Sequence, residues 1–301
     1  MKPYVPLAMN VRAKSSLLSV YATRMSPRSR RRARTRGSAA TSAITTYAWR
    51  YSRRTVSRER YAVVSCHAER PLDDDVWARL EAIQERRPGG FAIAALMRPA
   101  DAAAGEDESL WLERAREAAA RGPLGHHTHW TAPDHARPTG GGTGERVLAE
   151  GARLRELGLA PTLFCGGGWY TDAEVAAACA ALGYVDCTPR AQRPPYLPPG
   201  EQWASLSAPS RVRLPSGRVL PAIPTTHSLG DLARALVRRN LPRVVHVYFH
   251  DTALLDRRRR APIGVLLPLL ARAAEPTDLD SLRSAIADEA PEIAWDDVAR
   301  L

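Results

Sequence analysis

The chain of 301 residues is 45% hydrophobic, which suffices for one large α/β domain, or two ordinary ones, with a substantial core. Its formal charge of +11 lies wholly in residues 1–58, which hold 14 Lys and Arg and no acid; the remainder holds 29 basic and 32 acidic residues, so the body carries −3 and is no polycation. Four cysteines (Cys66, Cys165, Cys179, Cys187) without Cys-x-x-Cys spacing argue against a disulfide scaffold and make a reducing compartment, the cytoplasm, the default, while the longest apolar run, Ala261 to Ala271, is far short of a membrane span.

Residues 1–58 read as a disordered, Arg-rich leader ahead of a body spanning 59–301. The leader has little apolar periodicity, many Ser and Thr, and an arginine cluster from Arg28 to Arg36. Ser15 to Ala22 holds too short an apolar core for a secretory signal. Three readings compete: a tail that binds nucleic acid or an anionic surface by charge alone, an organelle transit peptide, or a non-functional extension ahead of a true start at Met25. The arginines lack interleaved aromatics, which weighs against specific nucleic-acid recognition and favours the extension.

From Tyr61 the chain changes character. Tyr61 to Cys66 predicts a buried first strand. Asp73 caps a helix to Arg86, with Val76, Leu80 and Ile83 on one face, and Pro88-Gly-Gly90 stops it. Phe91 to Met97 predicts a second strand, Ser109 to Arg121 a helix, and Gly125 to Trp130 a third strand. Thr143 opens a helix that ends near Gly158. Pro161 to Phe164 predicts a fourth strand leading into Cys165-Gly-Gly-Gly168. Thr171-Asp-Ala-Glu174 predicts a capping box, and Gly183 a C-cap. Tyr184 to Cys187 predicts a fifth strand, and Val212 to Leu220 a hairpin around Pro215-Ser-Gly217. Ser228 starts a helix ending at Asn240-Leu-Pro242, Val244 to Phe249 is the clearest late strand, and Ile263 to Arg272 predicts a helix.

Alternating strands and helices imply βα units around a parallel sheet or barrel, whose chemistry gathers at the carboxyl ends of the strands. The residues suited to chemistry fall there: His67 and Glu69 after the first strand, His127 and His129 at the third, Cys165 and the glycines after the fourth, Asp186 at the fifth, and His250-Asp251 at the last. The centre of interest is Gly125-His-His-Thr-His-Trp130, which holds three of the chain's eight histidines. Strand alternation points His127 and His129 one way and His126 and Thr128 the other. Two imidazoles side by side at a strand end form a natural half of a metal site.

These segments, in this order, resemble the polysaccharide deacetylase family (carbohydrate esterase family 4) over residues 60 to 272. Ala62-Val-Val-Ser-Cys-His-Ala-Glu69 resembles its first motif, Gly125-His-His-Thr-His-Trp130 its second, Phe164-Cys-Gly-Gly-Gly-Trp-Tyr170 with Leu182-Gly-Tyr-Val-Asp186 its third, and Val245-His-Val-Tyr-Phe-His-Asp251 its last. His67 and Glu69 stand where the family has paired aspartates, His129 follows His127 by two positions rather than four, and Cys165 stands at the arginine of motif three.

The resemblance implies a distorted (β/α)7-type barrel and a metal-dependent hydrolase that removes acetyl groups, through C–N or ester cleavage, from a carbohydrate or related amide. It implies a divalent, zinc-like metal on His67, His127 and His129, with Glu69 as an alternative third ligand. It implies Glu69 as general base and His250 as general acid. Trp130, Trp169, Tyr170, Gly167 and Asp186 would contact an acetylated sugar or glycan, the glycines offering amides to an oxyanion. The competing expectation is a catalytically degenerate relative that binds a glycan or partner without hydrolysis. Neither reading calls for specific nucleic acid or a transmembrane segment, and oligomeric state is not legible.

Overall fold

The structure is a computed structural model that describes residues 60–286 and 289–300; the leader expected over residues 1–58 lies outside them. Its frame is a mostly parallel sheet. β1 (Tyr61–Ala68) is followed by α1 (Asp74–Arg86), β2 (Ala94–Met97), α2 (Glu108–Arg121), β3 (Leu124–Thr128), α3 (Thr143–Glu156), β4 (Leu163–Gly166), α4 (Ala173–Leu182) and β5 (Val185–Asp186). Then come β6 (Trp203–Ala204), an antiparallel hairpin of β7 (Ser210–Arg213) and β8 (Val219–Ala222), and β9 (His227–Ser228). The chain continues with α5 (Leu229–Arg238), β10 (Val244–His250), α6 (Arg257–Arg260) and α7 (Ile263–Ala273). β11 (Glu275–Pro276), α8 (Leu279–Ile286), β12 (Glu292–Ala294), α9 (Trp295–Val298) and β13 (Ala299–Arg300) complete it.

The sheet closes into a ring. β10, β1, β2, β3, β4 and β5 pair in that order, all parallel. The segment from Val219 to Ser228 spans the remaining gap. Its start pairs with β5 at Asp186↔Ala222. In its middle Thr225 bridges Arg190, and its end pairs with β10 at Val247↔His227 and Tyr248↔Ser228. Six strands and this bent seventh make the (β/α)7-type barrel expected from the sequence. The distortion lies in the seventh, which also carries β7 and, beyond it, β12 on its outer edge.

Alternation along each strand sorts side chains between the barrel interior and the helices outside. Ala62, Val64, Cys66 and Ala68 of β1 join Val245, Val247 and Phe249 of β10 against Leu80, Leu254, Leu267 and Leu270 of the outer layer. Val63, Ala94, Leu96, Leu163, Cys165, Val185, Cys187, Ile223 and Val244 fill the interior. Burying a Leu or Val of this kind stabilises by roughly 1.5–3 kcal/mol, so the floor of the barrel is firm apolar packing. All four cysteines are free and buried, and no helix among the described residues is long and apolar enough to cross a membrane.

Local signals explain the helix ends. Asp73 accepts from the Val76 amide at 3.1 Å and caps α1 as expected. Gly183 takes φ 73° after α4, the left-handed conformation for which glycine is suited. The cap of α4 lies one residue later than predicted. Asp172 accepts from the Val175 amide at 2.8 Å and from the hydroxyls of Thr143 and Tyr170, whereas the buried Thr171 hydroxyl bonds nothing. The charged acceptor displaces the neutral one because it can serve three donors at once.

Asp186 corrects another expectation. It occupies the outward position of β5, is 1% exposed, and accepts from the Thr188 amide at 2.8 Å. Inward Val185 and Cys187 flank it, so this carboxyl faces the helix layer and cannot touch a substrate in the barrel mouth. Burial pushes its pKa up to about 6, against the smaller opposing pull of the Thr188 bonds. The folded state therefore holds this proton more tightly than the unfolded chain does, and stability falls as pH rises from about 4 to about 6. Replacing Asp186 by Asn should remove that slope, a difference of up to about 3 kcal/mol across the window. Urea unfolding of parent and variant at pH 4, 5, 6 and 7 measures it; parallel stability curves would refute the assignment.

Candidate active site

The inward alternation of three strands brings the histidines together at the carboxyl end of the barrel. His67 of β1 pairs in register with His250 of β10 and with Leu96 of β2, and His127 of β3 pairs with Cys165 of β4. His127 and His129 point inward, side by side, as the alternation predicts. His126 and Thr128 point outward, where both bond the Glu150 carboxylate of α3 at 2.8 Å.

Hydrogen bonds set the tautomers of the inward pair. His127 Nδ1 donates to the Cys165 carbonyl at 2.7 Å, and His129 Nδ1 donates to the Pro133 carbonyl at 2.9 Å. A carbonyl can only accept, so each Nδ1 carries a proton, and in the neutral form of each ring Nε2 is the atom with the lone pair. The two Nε2 atoms face each other at 3.3 Å. Two lone pairs at that distance repel unless a proton or a cation lies between them. Burial lowers the His127 pKa, with Glu69 pulling the other way, which disfavours the proton.

Glu69 supplies the third donor. Its Oε1 lies 3.8 Å from His127 Nε2, 3.8 Å from His129 Nε2 and 3.6 Å from His250 Nε2. Burial would push this carboxyl up, but positive charge gathered among His127, His129 and His250, whether on a proton or on a cation, outweighs it and holds the group well below the usual carboxylate range. The backbone around Glu69 is clamped. The buried Arg98 guanidinium, paired with Glu106, donates to the Glu69 carbonyl at 3.0 Å, and the Arg70 amide donates to Asp251 at 2.8 Å.

The donor atoms of Glu69, His127 and His129 all lie within 4.8 Å of one another. A tetrahedral centre with zinc–nitrogen bonds of about 2.0–2.1 Å sets two nitrogens about 3.3 Å apart, which is the spacing of the two Nε2 atoms. Both rings also present the backbone-bonded Nδ1–H that metal-ligating histidines commonly show. The residues fit a divalent cation.

The expected trio of His67, His127 and His129 is not the one assembled. His67 sits one layer deeper, 2% exposed, with its ring 4.9 Å from His127 and 5.0 Å from Trp169. It groups with His127 and Cys165 rather than with His129. Burial, then the charges of His127 and His250, keeps it neutral. Its Nε2 has no hydrogen-bond partner.

The aromatic wall also differs. Trp169 faces the chamber, with its ring 4.9 Å from Tyr248. Trp130 follows the outward alternation of Thr128, donates to the Thr143 carbonyl, and packs edge-on against Tyr170 at 5.1 Å. Tyr170 in turn donates to Asp172 at 2.7 Å, so both rings belong to the outer layer. Gly167 is a cradle rather than an exposed amide. A Cβ there would lie 2.6 Å from the Thr128 carbonyl oxygen and 2.8 Å from the His129 ring. Two residues that the sequence reading passed over also line the chamber. Tyr248 shares the inward face of β10 with His246 and His250, a placement strand alternation could have revealed. Arg190 follows β5 in irregular chain, where no periodicity marks it.

No family model matches the chain, and no curated protein matches it in sequence. Solved structures similar to it include the 4-α-glucanotransferase from Thermococcus litoralis, with a TM-score of 0.51 and 11% identity over 78% of this chain. This chain spans about two fifths of that protein, 41% of its length. They also include a family 4 carbohydrate esterase from Streptomyces lividans in complex with acetate, at TM-score 0.41 and 13% identity, covering 71% of this chain and 88% of that one. A third is a Bordetella bronchiseptica protein assigned as a polysaccharide deacetylase of O-antigen biosynthesis, at TM-score 0.38 and 15% identity, covering 76% and 90%. The first of these likenesses supports the fold.

The cradle yields a direct test. Gly167→Ala should cost about 1–3 kcal/mol, because the Thr128 carbonyl is backbone and His129 must tilt. Gly140→Ala, whose Cβ meets nothing within 4 Å, should stay within about 0.5 kcal/mol of the parent. Equal urea midpoints for the two variants would contradict the packing.

Proposed function

We propose that the chain is a metal-dependent hydrolase that removes an acetyl group, from nitrogen or oxygen, on a carbohydrate or related amide. The observation that carries this reading is the pair of Nε2 lone pairs 3.3 Å apart with a carboxylate oxygen 3.8 Å from both. His127, His129 and Glu69 would hold a divalent cation, zinc by the softness and number of these donors. When bound, the cation supplies a Lewis acid that polarises the acyl oxygen and acidifies the attacking water.

His250 does the proton work. Its side chain is 36% exposed, against 1% and 4% for His127 and His129, so of the three it alone meets substrate freely. Burial lowers its pKa, with Glu69 opposing, so it starts neutral and can accept a proton from water. The resulting imidazolium is stabilised by the Glu69 carboxylate 3.6 Å away and can return the proton to the departing amine or alkoxide. Glu69 thus acts as ligand and electrostatic partner rather than as the base expected from sequence. Tyr248, half-buried with its ring 5.6 Å from His250, would supply aromatic surface for a sugar ring, and the buried Trp169 backs it.

Glycosyl transfer, the activity in the name of the glucanotransferase, calls for two carboxylates across the sugar. Asp251 is engaged by the amides of Arg70 and Thr252, which leaves Glu69 as the carboxylate among the histidines.

Metal analysis and acetate release from a panel of N- and O-acetylated sugars test the proposal together. The purified chain should bind about one equivalent of zinc. His127→Ala and His129→Ala should lose it, and Glu69→Gln should weaken it. His250→Ala should retain zinc yet lose roughly 10²–10⁴-fold in kcat. No zinc uptake between pH 6 and 8 together with no acetate from any sugar would sink the hydrolase and leave a module that binds without cleaving.

A further inference from the structure

One charged group at the barrel mouth has no counter-charge among the described residues. Arg190 is 7% exposed. Its guanidinium lies beside two aromatic rings that pack edge-on against each other, 4.5 Å from the Trp169 centroid and 4.9 Å from the Tyr248 centroid. Its Nη1 donates to the Tyr248 hydroxyl at 3.0 Å. Its Nε is buried without a partner, and among the described residues no carboxylate forms an ion pair with it. Other buried arginines here do have acids: Arg98 has Glu106, and Arg114 has Asp74.

A buried, unpaired cation is expensive, and proteins ordinarily pair it. Two π faces recover a few kcal/mol at best, so the arrangement is poised for an anion. The backbone holds the side chain's origin firmly. The Arg190 amide donates to the Ala204 carbonyl at 2.9 Å, the Leu206 amide donates to the Arg190 carbonyl at 2.9 Å, and Thr225 bridges alongside. Arg190 also belongs to the same site as the proposed chemistry, since the Tyr248 it bonds has its ring 5.6 Å from that of His250 and 5.5 Å from that of His67.

We infer that Arg190 is the receptor for an anionic group, a carboxylate or phosphate, carried on the sugar of the substrate. This deepens the hydrolase reading and rests on it for the word substrate, but the anion site itself stands on Arg190, Trp169 and Tyr248. The planar fork suits either group through two parallel N–H···O bonds, and the two adjoining rings would keep the guanidinium in place.

Isothermal titration of the zinc-loaded full chain with glucose, glucuronate and glucose 6-phosphate tests the assignment. At least one anion should bind ten-fold or more tightly than glucose, and the tighter anion names the group. Arg190→Gln should abolish the preference, and Arg190→Lys, which keeps the charge but loses the fork, should retain only part of it. A parent chain that binds glucose and both anions alike overturns the proposal, even if the variants do not fold. So does an Arg190→Gln chain that keeps its preference, because the metal would then be the receptor. Acetate release separates the two readings: an anion preference that depends on Arg190, with no acetate from any sugar, preserves the receptor and ends the hydrolase.

Discussion

Everything at the barrel mouth depends on two carbonyl groups. The Cys165 carbonyl fixes the proton of His127 on Nδ1, and the Pro133 carbonyl does the same for His129. Without those acceptors either ring could turn or change tautomer, and the Nε2 lone pairs would not converge. One carbonyl comes from the neighbouring strand and the other from the Pro/Gly-rich loop after β3, which curls back through the Ala132–His135 bridge. The His-x-His spacing works because of this division. Rings two positions apart on one strand share a face, but only the second, at the strand's end, can be held by a loop. Gly167 completes the arrangement by giving up its side chain so that the His129 ring can lie against its backbone.

Polarity in the barrel interior is layered. The floor is apolar, from Val63 and Leu96 to Leu163 and Val244. Above it the Ser65 hydroxyl and His246 Nε2 lie 2.8 Å apart, fully buried, with burial pulling the His246 pKa down to about 4. Next come His67 and Tyr248, and at the rim Glu69, His129, His250 and Arg190. Each layer up has more water within reach and carries more charge. Burial of the lower imidazoles keeps them neutral, which confines ionic groups to the mouth and strengthens the field of the few charges there.

The repeating architecture was legible because each βα unit carries its own local signals: a buried β-rich run, a capping aspartate or serine, and a glycine stop. The inward direction of His127 and His129 followed from period two alone. Two kinds of information were missing. The first is depth. Spacing says that His67 and Glu69 share a face, but not that His67 is sealed beneath His127 while Glu69 reaches the lone pairs. The second is curvature. Trp130, Tyr170 and Asp186 all stand near strand ends, yet alternation and the bend at Gly166 to Trp169, where Gly168 takes φ 59° and Trp169 φ 58°, turn them to the outer layer. Arg190 and the bent strand from Val219 to Ser228 are irregular chain, and their positions are set by pairing with distant segments.

The presence of His67 beside Glu69 has an electrostatic consequence for the whole mouth. The deeper position of the pair is held by a neutral imidazole, so one negative charge faces the inward histidines. A divalent cation on that donor set would leave a net charge of +1, and Arg190 would add another with no acid among the described residues paired to it. A mouth of that sign, closed below by apolar packing, would select by charge before it selects by shape. A second carboxylate, at position 67, would lower that field and compete with an anion for Arg190. A neutral imidazole at position 67 therefore leaves Glu69 as the carboxylate facing the inward histidines, and keeps a further negative charge away from Arg190.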